Sequence, residues 1–134
     1  LFNINAIMNK PQLLIVDDIL VNRMLLSDIA TSIGCECALA KNGKEAYDKI
    51  LETDFDMVLM DIEMPVMNGL ETTMAIRKIE GSKSHIPVIA LTAHDPADFF
   101  TEFSECGFNE LITKRQLDVA RFNAQSADWK HLDV

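Results

Sequence analysis

The stretch DMVLMDIEMPVMNG, residues 56–69, decides the fold. Its first half is an apolar run from Met57 to Met60, closed by Asp61. A short run without polar alternation is the pattern of a strand buried on both faces. Its second half cannot continue the strand. Pro65 removes a backbone donor, and Asn68-Gly69 is a turn signal. A strand covered on both faces needs helices above and below it. The flanking chain is therefore expected to alternate strand and helix.

It does so in both directions. LLIV at 13–16 is a second buried run, ending on Asp17 and Asp18. Residues 20–33 carry Val21, Leu25, Ile29 and Ile33 at steps of four, which predicts a helix with that row inward, closed by Gly34. Residues 36–40 are a short strand, Asn42-Gly43 a turn, and 44–53 a helix with Ala46, Ile50 and Leu51 inward. After the opening stretch, 70–79 return to helix with Leu70 and Met74 inward. IPVIALTA at 86–93 gives the fourth strand. Residues 96–106 form a helix on a Phe99, Phe103 and Cys106 stripe, with Gly107 closing it. A weaker strand at 108–113 and a helix at about 118–131, anchored by Trp129, complete the count. The expected fold is α/β, a (βα)5 doubly wound parallel sheet with helices on both faces and right-handed crossovers.

A chain of 134 residues fits one domain, expected over 12–134, with residues 1–11 as a leader or linker. Apolar residues make up 49%, enough for a core, and no run approaches the ~20 residues of a membrane span. The formal charge of -9 disfavours nucleic acid and anionic lipid as partners and suits cations. Cys35, Cys37 and Cys106 are odd in number, with two of them only two apart, so no disulfide framework is expected. The C-x-C pair is expected as ordinary buried or half-buried thiols pointing to opposite faces of a strand. With no basic-then-apolar leader in residues 1–11, the expected compartment is the cytoplasm.

In parallel sheets ligands bind beyond the carboxyl ends of the strands. Those ends carry Asp17 and Asp18, Asp61, Thr92 and Lys114. Three carboxylates in one pocket repel unless a cation sits among them. Lys114 supplies one charge, and a hard divalent ion with oxygen ligands, Mg2+, supplies the rest. A carboxylate beside Mg2+, an ammonium and a hydroxyl is a good phosphoryl acceptor, because the cations neutralise the equatorial oxygens. Asp61 is the nucleophile of choice, being central among the five.

On LLIVDD (13–18), VLMDIEMPVMNG (58–69), IALTA (89–93) and ITK (112–114), the chain resembles the response regulator receiver domains of two-component signalling. The resemblance covers about residues 12–131. It implies the flavodoxin-like strand order 2-1-3-4-5, the order of the chemotaxis receivers. It also implies that Asp61 takes a phosphoryl group from a phosphohistidine. Asp18, Asp61 and the backbone carbonyl of Glu63 would bind Mg2+, and Asp17 would do so through water. Thr92 would hydrogen-bond the phosphoryl oxygen and Lys114 would pair with it. Met64, Pro65 and Gly69 would shape the loop. The implied partners are a histidine kinase or histidine phosphotransfer protein, and an output domain or protein outside this chain. VDDILVNR is similar to receivers fused to hybrid histidine kinases, with Ile19 where many have Asn.

Two departures from the family matter. Arg115 follows Lys114 where most receivers have Pro with a cis bond, so a trans bond and a rearranged loop are expected. Leu111 stands at the switch position, where most carry Tyr or Phe that responds to Thr92. Chemistry is thus expected intact and output through the fourth helix, fifth strand and fifth helix muted. Glu63 and His94, two residues after Asp61 and Thr92, are expected to affect the phosphoryl lifetime. The alternatives are a degenerate receiver acting as a binding module and a small Mg2+-dependent phosphatase. The intact set disfavours the first. The second is disfavoured by Glu63 in place of a general-acid Asp and by the lack of a substrate cap.

Overall fold

The computed structural model describes residues 10–64, 67–93 and 105–116. Five strands alternate with helices: β1 (Gln12–Val16), α1 (Leu20–Ser32), β2 (Glu36–Ala40), α2 (Gly43–Glu52), β3 (Met57–Asp61), α3 (Gly69–Arg77), β4 (Val88–Thr92) and β5 (Glu110–Thr113). A short 3-10 helix, Ser82–His85, precedes β4. The sheet is five-stranded, in the order β2-β1-β3-β4-β5, and all four pairings are parallel. Of the expected helix at 96–106 only Glu105 and Cys106 are described, as a turn that leads into Gly107 at φ 97°, while the rest of it with Phe99 and Phe103, the expected helix at 118–131 with Trp129, Pro65, His94 and most of the 1–11 leader lie outside the described residues.

Alternation along the strands divides the core in two. Leu14, Val16, Val58, Met60 and Val88 pack with Ala46 and Ile50 of α2 and Ile76 of α3. Leu13, Ile15, Leu59, Ile89 and Leu91 face the other way, onto Leu26 and Ala30 of α1. This is why β1 and β3 read as unbroken apolar runs. Register then aligns the strand ends: Val16 pairs with Met60, Asp61 with Leu91, and Thr92 with Thr113.

Several helix faces differ from expectation. In α1 the buried residues are Leu26 and Ala30, while Val21 is 61% exposed and Ile33 38%. A row at steps of four drifts by about 40° per step at 3.6 residues per turn. Over three steps it winds off the face, leaving only its middle, Leu25 and Ile29, half-buried. In α2, Ala46 and Ile50 are buried as expected, but Leu51 is exposed, about 100° around the helix from Ile50. In α3, Met74 is exposed and Leu70 half-buried, whereas Thr72 and Thr73 are fully buried. Their hydroxyls donate to Asn68 O at 2.8 Å and Gly69 O at 2.7 Å, which makes burial affordable.

Both Asn-Gly pairs were expected as turns, and both are helix starts. The Asn42 side chain accepts from the amide of Glu45, and Asn68 from that of Glu71, each as an N-cap. The glycine at 69 answers to a close approach: a Cβ there would lie 2.7 Å from Asp61 O and 2.7 Å from Ile62 Cα. Cys35 and Cys37 pack on the same cluster beneath α1, not on opposite faces. Residues two apart in a strand share a face, so the expectation of opposite faces was geometrically unsound. Burial pushes both thiols above their ordinary pKa, consistent with inert packing.

Candidate functional site

Asp17 leaves the end of β1, where its amide donates to Ala40 O at 3.1 Å. Its carboxylate Oδ1 accepts from the Ile19 amide at 2.9 Å, and Arg23 donates to its carbonyl at 2.7 Å. The first turn of α1 thus fixes Asp17. Ile19 offers no side-chain cap, so the acid two residues earlier serves that helix start. Asp17 is fully buried, and its other oxygen, Oδ2, has no hydrogen-bond partner. A buried carboxylate oxygen without a partner costs free energy unless a cation or water completes it.

Asp61 sits at the end of the central strand β3 and is 1% exposed. Its Oδ1 accepts from the Glu63 amide at 2.9 Å, and its Oδ2 lies 3.5 Å from Lys114 Nζ. Carboxylate oxygens of Asp17, Asp18 and Asp61 all fall within 4.8 Å of one another, with Asp18 exposed. Burial pushes the Asp61 pKa up to about 6. The Glu63 amide opposes this, Asp17 adds to it, Lys114 opposes it, and Asp18 adds to it again. Among the described residues three carboxylates gather beside the Lys114 ammonium, an acidic surplus that suits a divalent cation. The orphaned Asp17 oxygen and the all-oxygen donor set both fit Mg2+.

Thr92, fully buried at the end of β4, donates its hydroxyl to Glu63 Oε1 at 3.0 Å. The Ala93 amide donates to the same oxygen at 3.1 Å. Lys114 follows β5 and opens a helical turn over 114–116. The Thr113 amide donates to Gln116 Oε1 at 2.7 Å, and the Gln116 amide donates to Thr113 Oγ1 at 3.1 Å, a reciprocal capping box. That box holds the loop where the family has Pro. Cis peptides are absent among the described residues, so Lys114–Arg115 is trans as expected. Leu111 packs half-buried against Ile62 and Ala90.

All five expected residues, with Glu63, therefore meet on one rim. Two features escaped the sequence reading. One is the Glu63 carboxylate on Thr92 and Ala93, for which no local signal exists. The other is the capping box, whose Thr-x-x-Gln spacing at 113–116 was legible.

Comparison with known proteins agrees with this geometry. The response regulator receiver domain family matches residues 13–123. The chain is 38% identical over 113 residues to hybrid signal transduction histidine kinase I of Dictyostelium discoideum, covering 80% of this chain and 6% of that protein. It is 35% identical over 106 residues to the sensor protein GacS of Pseudomonas syringae pv. syringae, covering 78% and 12%. The chain thus spans only about a tenth of these curated relatives. Among solved structures, the receiver domain of sensor histidine kinase PA1611 from Pseudomonas aeruginosa, with magnesium coordinated in its active-site cleft, superposes with a TM-score of 0.74 at 26% identity, covering 87% of this chain and 96% of that one. Strand order, sequence match and structural likeness converge, and the chain belongs to the response regulator receiver domain family.

Proposed function

We propose that this domain is the phosphoacceptor of a two-component phosphorelay and that Asp61 receives the phosphoryl group. The observation that supports this best is the gathering of Asp17, Asp18 and Asp61 within 4.8 Å, with Lys114 at 3.5 Å from the central acid. An Asp61 oxygen attacks phosphorus as the phosphohistidine P–N bond breaks, and the imidazole leaves with the electron pair. Asp18, Asp61 and the Glu63 carbonyl would hold Mg2+, and Asp17 would act through water. The metal supplies charge neutralisation on the transferring oxygens. Lys114 adds a second cation there, and Thr92 a hydroxyl donor. The domain catalyses nothing beyond its own phosphorylation and dephosphorylation. Its donor is a histidine kinase or histidine phosphotransfer protein in the cytoplasm, and its output lies in another domain or protein. Neither nucleic acid nor membrane is a direct partner. Leu111, packed on Ile62 and Ala90 without a ring or hydroxyl, supports a muted response through β5.

Incubation with acetyl phosphate and Mg2+, read by intact mass, tests the reading. One added phosphoryl group is expected, absent in Asp61→Asn, because an amide is no anionic nucleophile. Stoichiometric labelling of that variant at the wild-type rate would refute the assignment. Asp18→Ala should raise the Mg2+ concentration for half-maximal labelling by about ten-fold or more, since outer and inner ligands of this kind carry such factors. An unchanged Mg2+ titration removes Asp18 from the ligand set.

A further inference from the structure

Two donors at the end of β4 converge on one oxygen. The Thr92 hydroxyl and the Ala93 amide both reach Glu63 Oε1, at 3.0 and 3.1 Å. The residue that supplies this oxygen is itself tied to the acceptor, since its amide donates to Asp61 Oδ1 at 2.9 Å. The rim thus holds a small anion cradle, and the anion in it belongs to the chain. A phosphoryl group on Asp61 brings its own anionic oxygens to this rim. A hydroxyl and a backbone amide carry one hydrogen each, so neither donor can serve two full-strength acceptors. Two anions competing for the same pair of hydrogens also repel each other.

We propose that the Glu63 side chain is a built-in occupant of the phosphoryl-oxygen cradle, and that phosphorylation of Asp61 requires it to swing out. This deepens the phosphoacceptor reading and rests on it. Glu63 is exposed, so its carboxylate regains water on leaving and the latch is a modest one. Its effect is a population tax: the affinity for a phosphoryl group or its mimic falls by the fraction of molecules with the cradle open. The same side chain refills the cradle after hydrolysis, returning Thr92 and Ala93 to their resting partners. The backbone carbonyl of Glu63 keeps its proposed metal role in both positions, so latch and ligand are separable functions of one residue.

Calorimetric titration of the whole chain with beryllofluoride at saturating Mg2+ tests this, using wild type, Glu63→Ala and Glu63→Asp. Alanine removes the occupant. Aspartate keeps the charge but is one methylene too short to span to both donors. Beryllofluoride is expected to bind Glu63→Ala about ten-fold more tightly than wild type, the scale of two partly solvated charge-assisted bonds. Glu63→Asp should recover at least a third of that gain on a logarithmic scale. The Ala93 amide resonance should shift in both variants before any ligand is added. Equal affinity in wild type and Glu63→Ala overturns the latch. So does a gain in Glu63→Ala with none in Glu63→Asp, which would assign the effect to charge alone. Failure of the underlying reading looks different: beryllofluoride then binds no variant, or binds Asp61→Asn as well as wild type, and the latch falls with it.

Discussion

At the C-terminal end of the sheet three carboxylates crowd within 4.8 Å beside one ammonium, and a buried oxygen of Asp17 lacks a partner. At the N-terminal end two cations are wrapped in oxygen. Arg77, the last residue of α3, spends its five donors on Gly107 O twice, Ser84 O, Ile86 O and Asn109 Oδ1, all at 2.7–3.0 Å. Lys83 Nζ reaches the carbonyls of Ile50, Leu51 and Thr53, closing the C-terminal end of α2. One end carries an acidic surplus. At the other the donors of Arg77 and Lys83 are taken up by oxygen, and they tie α2, α3, the 3-10 helix and the entries to β4 and β5 together. Among the described residues, the crowded carboxylates lie at the rim where chemistry is proposed, and the opposite end carries much of the hydrogen-bonded scaffold.

The largest effect on stability should come from the Arg77 end. Arg77→Ala leaves several half-buried carbonyls without donors and should cost about 3 kcal/mol in urea denaturation, with Arg77→Lys recovering only a minor part. A loss below about 1 kcal/mol would mean that water replaces the guanidinium freely, and the contrast between the two ends would break.

The acidic end should respond in the opposite direction. Folding raises the Asp61 pKa from 3.8 to about 6, so the native state binds more protons than the unfolded chain between those values. Stability should therefore fall as pH rises from about 4 through 6 and stay reduced above. Asp61→Asn lacks that penalty and should be more stable than wild type at pH 7 by about 1–3 kcal/mol. The difference should close below pH 4 and narrow when Mg2+ is added, since the ion stabilises only the ionised cluster. A variant less stable than wild type at pH 7 would show that Asp61 is a net structural contributor.

The smallest expected effect sharpens the comparison at β5. Gln116→Ala opens the capping box and should cost about 0.5–1 kcal/mol. Because Lys114 sits at the first position of that turn, acetyl phosphate labelling should also slow. A stability loss without slower labelling would show that Asp61 alone positions the lysine.

Much of this was readable from residues. Unbroken apolar runs at 13–16 and 57–60 located the central strands because both of their faces are covered. The acids and the threonine at strand ends located the rim because register in a parallel sheet aligns those ends. Helix faces were less legible. The Val21–Ile33 row looked regular but drifts around the helix, and Thr72 and Thr73 concealed their burial because their hydroxyls are satisfied by the preceding turn. The Asn-Gly pairs carry the same letters in a hairpin turn and at a helix start, and only the helix that follows tells them apart. The Glu63 contact could not be read, because it joins positions 29–30 residues apart through a side chain with many rotamers.

The clearance at Gly69 has a mechanical consequence. With room for no more than a hydrogen between the start of α3 and the backbone of Asp61 and Ile62, α3 cannot shift toward the end of β3 without displacing that backbone. Met67, held at φ 50° just before, and the Asn68 cap fix the chain's entry to α3. A force that drives α3 toward the sheet would therefore bear directly on the acceptor's own backbone. The contact acts in compression, between backbone atoms, and involves no side chain at position 111.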